Sequence, residues 1–189
     1  MLMLLAIAVG VLLVAPTGGS YRSLAGVHVR WSGLFLGGAI AQFVLTPALS
    51  NGDARIGPTT AWVVGAALLV AACAANARIS GFVVAGCGVV LNLLVIVANM
   101  GMPVYPGALE IAGAGPGFVL DPGTIYHLSH EATRMLVLAD VVPVPGPVGI
   151  RSVASLGDLL ICVGVVAAIL QLATFGPDDG EQEGGSGTA

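Results

Sequence analysis

Four stretches of this chain, residues 1–16, 31–49, 58–77 and 81–98, contain no Asp, Glu, Lys, Arg or His, and a fifth, 155–175, contains only Asp158. A helix crossing a hydrocarbon core of about 30 Å needs about 20 mostly apolar residues. Five such runs in 189 residues leave little room for any other architecture. Only 8% of the residues are charged, where a soluble domain carries about 25%. The expectation is an all-α polytopic membrane bundle of five transmembrane helices, forming one membrane-embedded domain over residues 1–175. Residues 176–189, acidic and poor in apolar side chains, are expected to be a disordered tail.

Local signals place the ends of the runs. Pro16-Thr17-Gly18-Gly19 stops the first run. That run lacks both the basic start and the Ala-x-Ala-like exit of a cleaved leader, so it is expected to be kept as a span. Pro47 bends or ends the second, and Asn51-Gly52-Asp53 makes a turn. Arg78-Ile79-Ser80 is too short for anything but a hairpin between spans three and four. Ser155-Leu156-Gly157-Asp158 fits a capping box, with Ser155 receiving an N–H three residues on and Asp158 reaching back, so Asp158 reads as structural. Lysine is absent. Arginine alone favours an outer N-terminus and a cytoplasmic C-terminus, with Arg22, Arg30 and Arg78 inside against Arg55 and Arg151 outside.

Small residues recur along the spans, as at Gly33, Gly37 and Ala41 and again at Gly81, Ala85 and Gly88, and are expected to let helices within the chain pack closely. Gln42 and Asn92 are the polar residues nearest mid-span, and each is expected to hydrogen-bond across a helix interface. Cys73, Cys87 and Cys162 fall within spans and read as small hydrophobes. No interior position carries the ionisable side chain that marks an ion or proton path.

Chemical variety is concentrated in the 56 residues of loop 99–154, which hold two of three histidines and six of sixteen charges. An ordered outer cap is expected. Residues 126–140 read as its amphipathic helix, with His127, His130, Glu131 and Arg134 on one face and Leu128, Ala132, Met135 and Ala139 on the other. His127, His130 and Glu131 would suit a divalent ion, but their order is not His-Glu-x-x-His, and no metal or other cofactor is expected. The larger expectation is a solvated face or a headgroup contact involving Arg134.

Asn99-Met100-Gly101-Met102-Pro103-Val104, Pro106-Gly107-Ala108-Leu109, Thr133-Arg134, Asp140-Val141-Val142-Pro143 and Gly157-Asp158 resemble the signature stretches of small multi-pass bacterial integral-membrane proteins grouped as domain of unknown function 5317. The resemblance implies that Arg134, Asp140 and Asp158 share a role, such as pairing that pins the cap to span five. It implies no activity. The leading expectation is therefore a non-enzymatic accessory, scaffold or sensing protein of the cell membrane. Its outer loop would bind a lipid, a ligand, a membrane-protein partner or a second copy, and nucleic acid is not expected. The alternatives are a metal-dependent membrane hydrolase using His127, His130 and Glu131, and a small transporter with a path past Gln42 and Asn92.

Overall fold

A computed structural model describes residues 2–50, 56–115, 120, 124–145 and 152–174. The expected turn at Asn51-Gly52-Asp53, Arg55, Arg151 and the acidic tail lie outside the described residues.

The apolar runs form helices. They are α1 Leu2–Leu13, a kinked segment comprising α3 Ser32–Ile40 and α4 Thr46–Ala48 joined by a π-helical turn Ala41–Leu45, α5 Ile56–Ala75, α6 Ser80–Asn99 and α8 Leu156–Thr174. Short α2 Tyr21–Ala25 lies between the first two. Three of them, α5, α6 and α8, are long and apolar enough to cross a membrane. The first helix, at 12 residues, is shorter than the run of 16 that suggested it. It ends where Thr17 Oγ1 donates to the Leu13 carbonyl (2.7 Å) and Gly18 turns to φ 78°. The π turn has a cause in Pro47, which has no N–H to give the Phe43 carbonyl and whose ring crowds it, so the preceding turn widens. Thr46 Oγ1 then donates to the Ala41 carbonyl at 3.0 Å.

Close packing of α6 on α8 is made possible by missing side chains. A Cβ on Gly81 would overlap the main chain of Ala168, one on Gly88 the carbonyl of Gly157, and one on Gly164 the main chain of Ala85. These contacts run in opposite directions along the two helices, so α6 and α8 are antiparallel. Gly38 meets Leu69 and Gly65 meets Ala41, which sets α3 antiparallel to α5. Gly10 meets Ile169 and the Ser20 N–H bonds the Ala173 carbonyl (2.9 Å), so α1 runs parallel to α8.

The segment between α6 and α8 is a small cap of strands. β1 Met102–Val104 pairs in parallel with β2 Tyr126–Leu128, and β3 Val142–Val144 pairs antiparallel with β4 Ser152–Ala154, which leads directly into α8. Helix α7, Pro106–Ala112, starts with proline at its first turn and stops at Gly113, φ 95°. Met102, Ile125 and Ala139 pack on Val95 and Ile96 at the end of α6, with Trp62 of α5 alongside.

The amphipathic helix expected over residues 126–140 does not form. Residues 126–128 are strand, a turn follows, and only Leu136–Leu138 is a short 3-10 helix. The reason is competition for the main chain. β1 offers β2 a partner, with the Ser129 N–H on the Val104 carbonyl at 2.9 Å. Polar side chains take the next amides, as His130 N–H donates to Thr133 Oγ1 (2.8 Å) and Ala132 N–H to His130 Nδ1 (3.2 Å). Such side-chain bonds are what disfavours a helix, and the period-3.6 pattern, read alone, misses them.

Candidate functional site

The most connected polar group lies where the cap meets the ends of α6 and α8. Ser155 and Asp158 exchange the two bonds of a capping box: Asp158 N–H donates to Ser155 Oγ (2.9 Å) and Ser155 N–H to Asp158 Oδ2 (3.1 Å). Asn92 then crosses from α6, its Nδ2 donating to Asp158 Oδ1 at 2.7 Å while its Oδ1 accepts from Ser155 Oγ at 2.7 Å. Both Asn92 and Ser155 are buried. Gly157 permits this approach, since a Cβ there would overlap Asn92 Oδ1. The resulting clasp joins two helices through a charge-assisted hydrogen bond, the stronger kind. Its Ser155 hydroxyl is fully buried and donates to an amide oxygen, not to a base.

Asp140 borders the clasp. Its N–H donates to the Pro103 carbonyl (3.0 Å) and its carbonyl accepts from Tyr105 N–H (2.9 Å), so it lies on the side of β1 opposite β2. The side chain is buried, and Oδ1 has no hydrogen-bond partner. Burial, and secondarily the Asp158 charge, push its carboxyl up to about 8. Such a group is largely a neutral acid at neutral pH. Tyr126 is exposed along its ring, but desolvation at its hydroxyl, followed by the charges of Asp140 and Asp158, raises that group to about 12. Three acidic groups from β2, the β1 flank and α8 therefore share one region. Tyr126 carried no sequence signal, because nothing local says that β2 will lie beside β1.

The remaining candidates are dispersed. Arg134 is exposed and makes no ion pair with Asp140 or Asp158; what is held is its main chain, bonded to Asn99. Glu131 and His130 are exposed, while His127 is half-buried opposite Pro103. The helical face that was to bring the histidines and Glu131 together is absent. Among the described residues, no three of His, Cys, Asp and Glu converge to hold an ion. Gln42 is packed against Gly65 in the α3–α5 pair, whereas Asn92 serves the α6–α8 pair. They do not share an interface.

The family model described as a family of unknown function (DUF5317) matches residues 26–170. The chain belongs to this family. The matched stretch takes in the clasp, Asp140 and every element from the end of α2 to most of α8. No curated protein and no solved structure matches the chain. For this DUF5317 protein, function has to be read from its own geometry.

Proposed function

We propose that this DUF5317 protein is a five-span membrane protein serving as a non-enzymatic scaffold or sensing component, with the cap as its receiving part. The observation that carries this reading is the way the cap is tied down: it shares a core with Val95 and Ile96, and β4 runs straight into the Ser155–Asp158–Asn92 clasp. A change at the cap is thereby mechanically linked to two long helices.

Helix direction supports five spans. The pairings above make α1, α3, α5, α6 and α8 alternate, so one end of the bundle carries residue 2 and the cap and the other carries the Arg22, Arg30 and Arg78 turns. Arginines gathered at one end favour that end as cytoplasmic, which puts the N-terminus and cap outside and the C-terminus inside. At about 1.5 Å per residue α1 alone is short for a bilayer, and the turn through Gly18 extends it.

Single cysteines in a cysteine-free background test the arrangement. A membrane-impermeant maleimide on intact cells is expected to label Val137→Cys in the cap, and to label Ala77→Cys only after permeabilisation. The reverse pattern overturns the orientation. A photo-crosslinking side chain at Val137 or Tyr105, both exposed, is expected to trap a neighbouring lipid or membrane protein in cells; no adduct at either position counts against a receiving cap.

A further inference from the structure

Residues 139–141 cross the seam between cap and bundle. Their main chain cannot move freely, because Asp140 is hydrogen-bonded to β1 through both its N–H and its carbonyl. Two residues later Val142 pairs with Ala154, so continuing that ladder backwards brings Asp140 alongside the first turn of α8, where Asp158 stands. The Asp140 side chain is 5% exposed and Oδ1 accepts no hydrogen bond. An ionised carboxylate in that position would be desolvated, unpaired at one oxygen and faced by a second carboxylate, each of which disfavours charge. The neutral acid has no charge to desolvate and none for Asp158 to repel, and it leaves only the smaller cost of one unpaired polar oxygen.

We propose that Asp140 is a proton-binding site whose proton holds the cap on the bundle: the neutral carboxyl keeps the seam closed, and its loss drives residues 139–145 away from the ends of α6 and α8. The ligand is the proton itself, and the signal is the pH on the cap side. This deepens the sensing reading and rests on it. Among the described residues, the ionisable and polar neighbours of Asp140 come from named elements. From α8 comes Asp158, whose two oxygens take the Asn92 and Ser155 N–H donors. From β2 come Tyr126, held neutral far above physiological pH, and His127, whose ring lies against Gly101. The three residues of each of β1, β3 and β4 are not ionisable, α6 contributes the uncharged Asn92 and Asn99, and Glu110 of α7 is exposed, as is Arg134. The upward shift at Asp140 to about 8 agrees with this setting.

The chain supplies its own reporter. Trp62 packs against the core that contains Ala139, and Trp31 is the only other tryptophan. In the full-length Trp31→Phe protein in phosphatidylcholine vesicles, Trp62 emission is scanned from about pH 5 to about pH 10. A red shift with a midpoint near 8 is expected, and Trp31→Phe/Asp140→Asn should keep the low-pH emission throughout. A flat profile without the Asp140 change, or an unaltered transition with it, overturns the proposal. Infrared difference spectra of the unsubstituted protein give a readout independent of any variant's folding. A neutral carboxylic acid band present near pH 6 and lost above the same midpoint is expected, and its absence near pH 6 overturns the proposal. A flat Trp62 profile in a protein whose cap is labelled from outside defeats the proton site alone. Labelling of the cap only after permeabilisation defeats the orientation itself.

Discussion

Asn99 grips the main chain of Arg134 with both ends of its amide: Oδ1 accepts the Arg134 N–H at 2.8 Å and Nδ2 donates to the Arg134 carbonyl at 3.0 Å. Asn76 holds Arg30 in the same way at the other end of the α5–α6 hairpin, at 2.9 and 2.8 Å. Each Nδ2 also reaches the carbonyl four residues back, Val95 or Ala72, and the residue after each arginine is left-handed, Met135 at φ 55° and Trp31 at φ 56°. Two helix-ending asparagines thus fix where the chain crosses each end of the hairpin, and leave both arginine side chains exposed.

Asn99→Ala removes these bonds at a partly exposed site, where each is worth about 0.5–1.5 kcal/mol. A loss of about 1–2 kcal/mol is expected, with faster hydrogen exchange confined to residues 130–138. Mass-spectrometric exchange in detergent checks both its size and its location.

Asn92→Ala is expected to cost more, about 2–4 kcal/mol, because a charge-assisted bond goes and the buried Ser155 hydroxyl loses its acceptor. Combining it with Ser155→Ala should cost less than the two single losses together, since both act on one network. Thermal unfolding of the four proteins in one detergent measures the coupling.

Glycines that look alike in sequence are expected to differ sharply. Gly157→Ala drives a Cβ into Asn92 Oδ1 and the Gly88 carbonyl, so a loss of about 3 kcal/mol or failure to fold is expected. Gly33→Ala meets open space within a helix and should be neutral or stabilising by up to about 1 kcal/mol. Yield and unfolding midpoint of the two variants decide the matter.

The pH dependence of stability follows from Asp140. Its folded-state pKa, about 8, lies above the value of about 3.9 expected in the unfolded chain. Between those limits the folded state keeps a proton that the unfolded state has released. The contribution is therefore complete below about pH 4 and disappears as pH rises through about 8. Tyr126, raised to about 12, does not titrate in that window. The unfolding midpoint is expected to fall between about pH 5 and about pH 8.5 and then level off, and Asp140→Asn should remove most of the slope.

Local chemistry was legible in the sequence to the degree that it was local. Ser155 and Asp158 are three residues apart, so their reciprocal bonds follow from helix geometry alone, whereas the Asn92 partner depends on how α6 crosses α8. The spacing of His127, His130, Glu131 and Arg134 suggested one helical face because periodicity counts side chains and not rival uses of the amides. Thr133 and β1 supplied those uses. Arg134 was expected to act through its guanidinium, and its structured contact is instead the main chain in the grip of Asn99.

What the sequence determined by itself was the helices: long runs without charge form helices, three of them long and apolar enough to cross a membrane, because a helix satisfies its own main chain where water is scarce. What only the tertiary structure decided was burial. Asp140 and Glu131 are both acids in the same loop, yet one is enclosed beside β1 and α8 while the other is exposed. The energy of a charge depends on the dielectric and the partners around it, and both are set by segments distant in the chain.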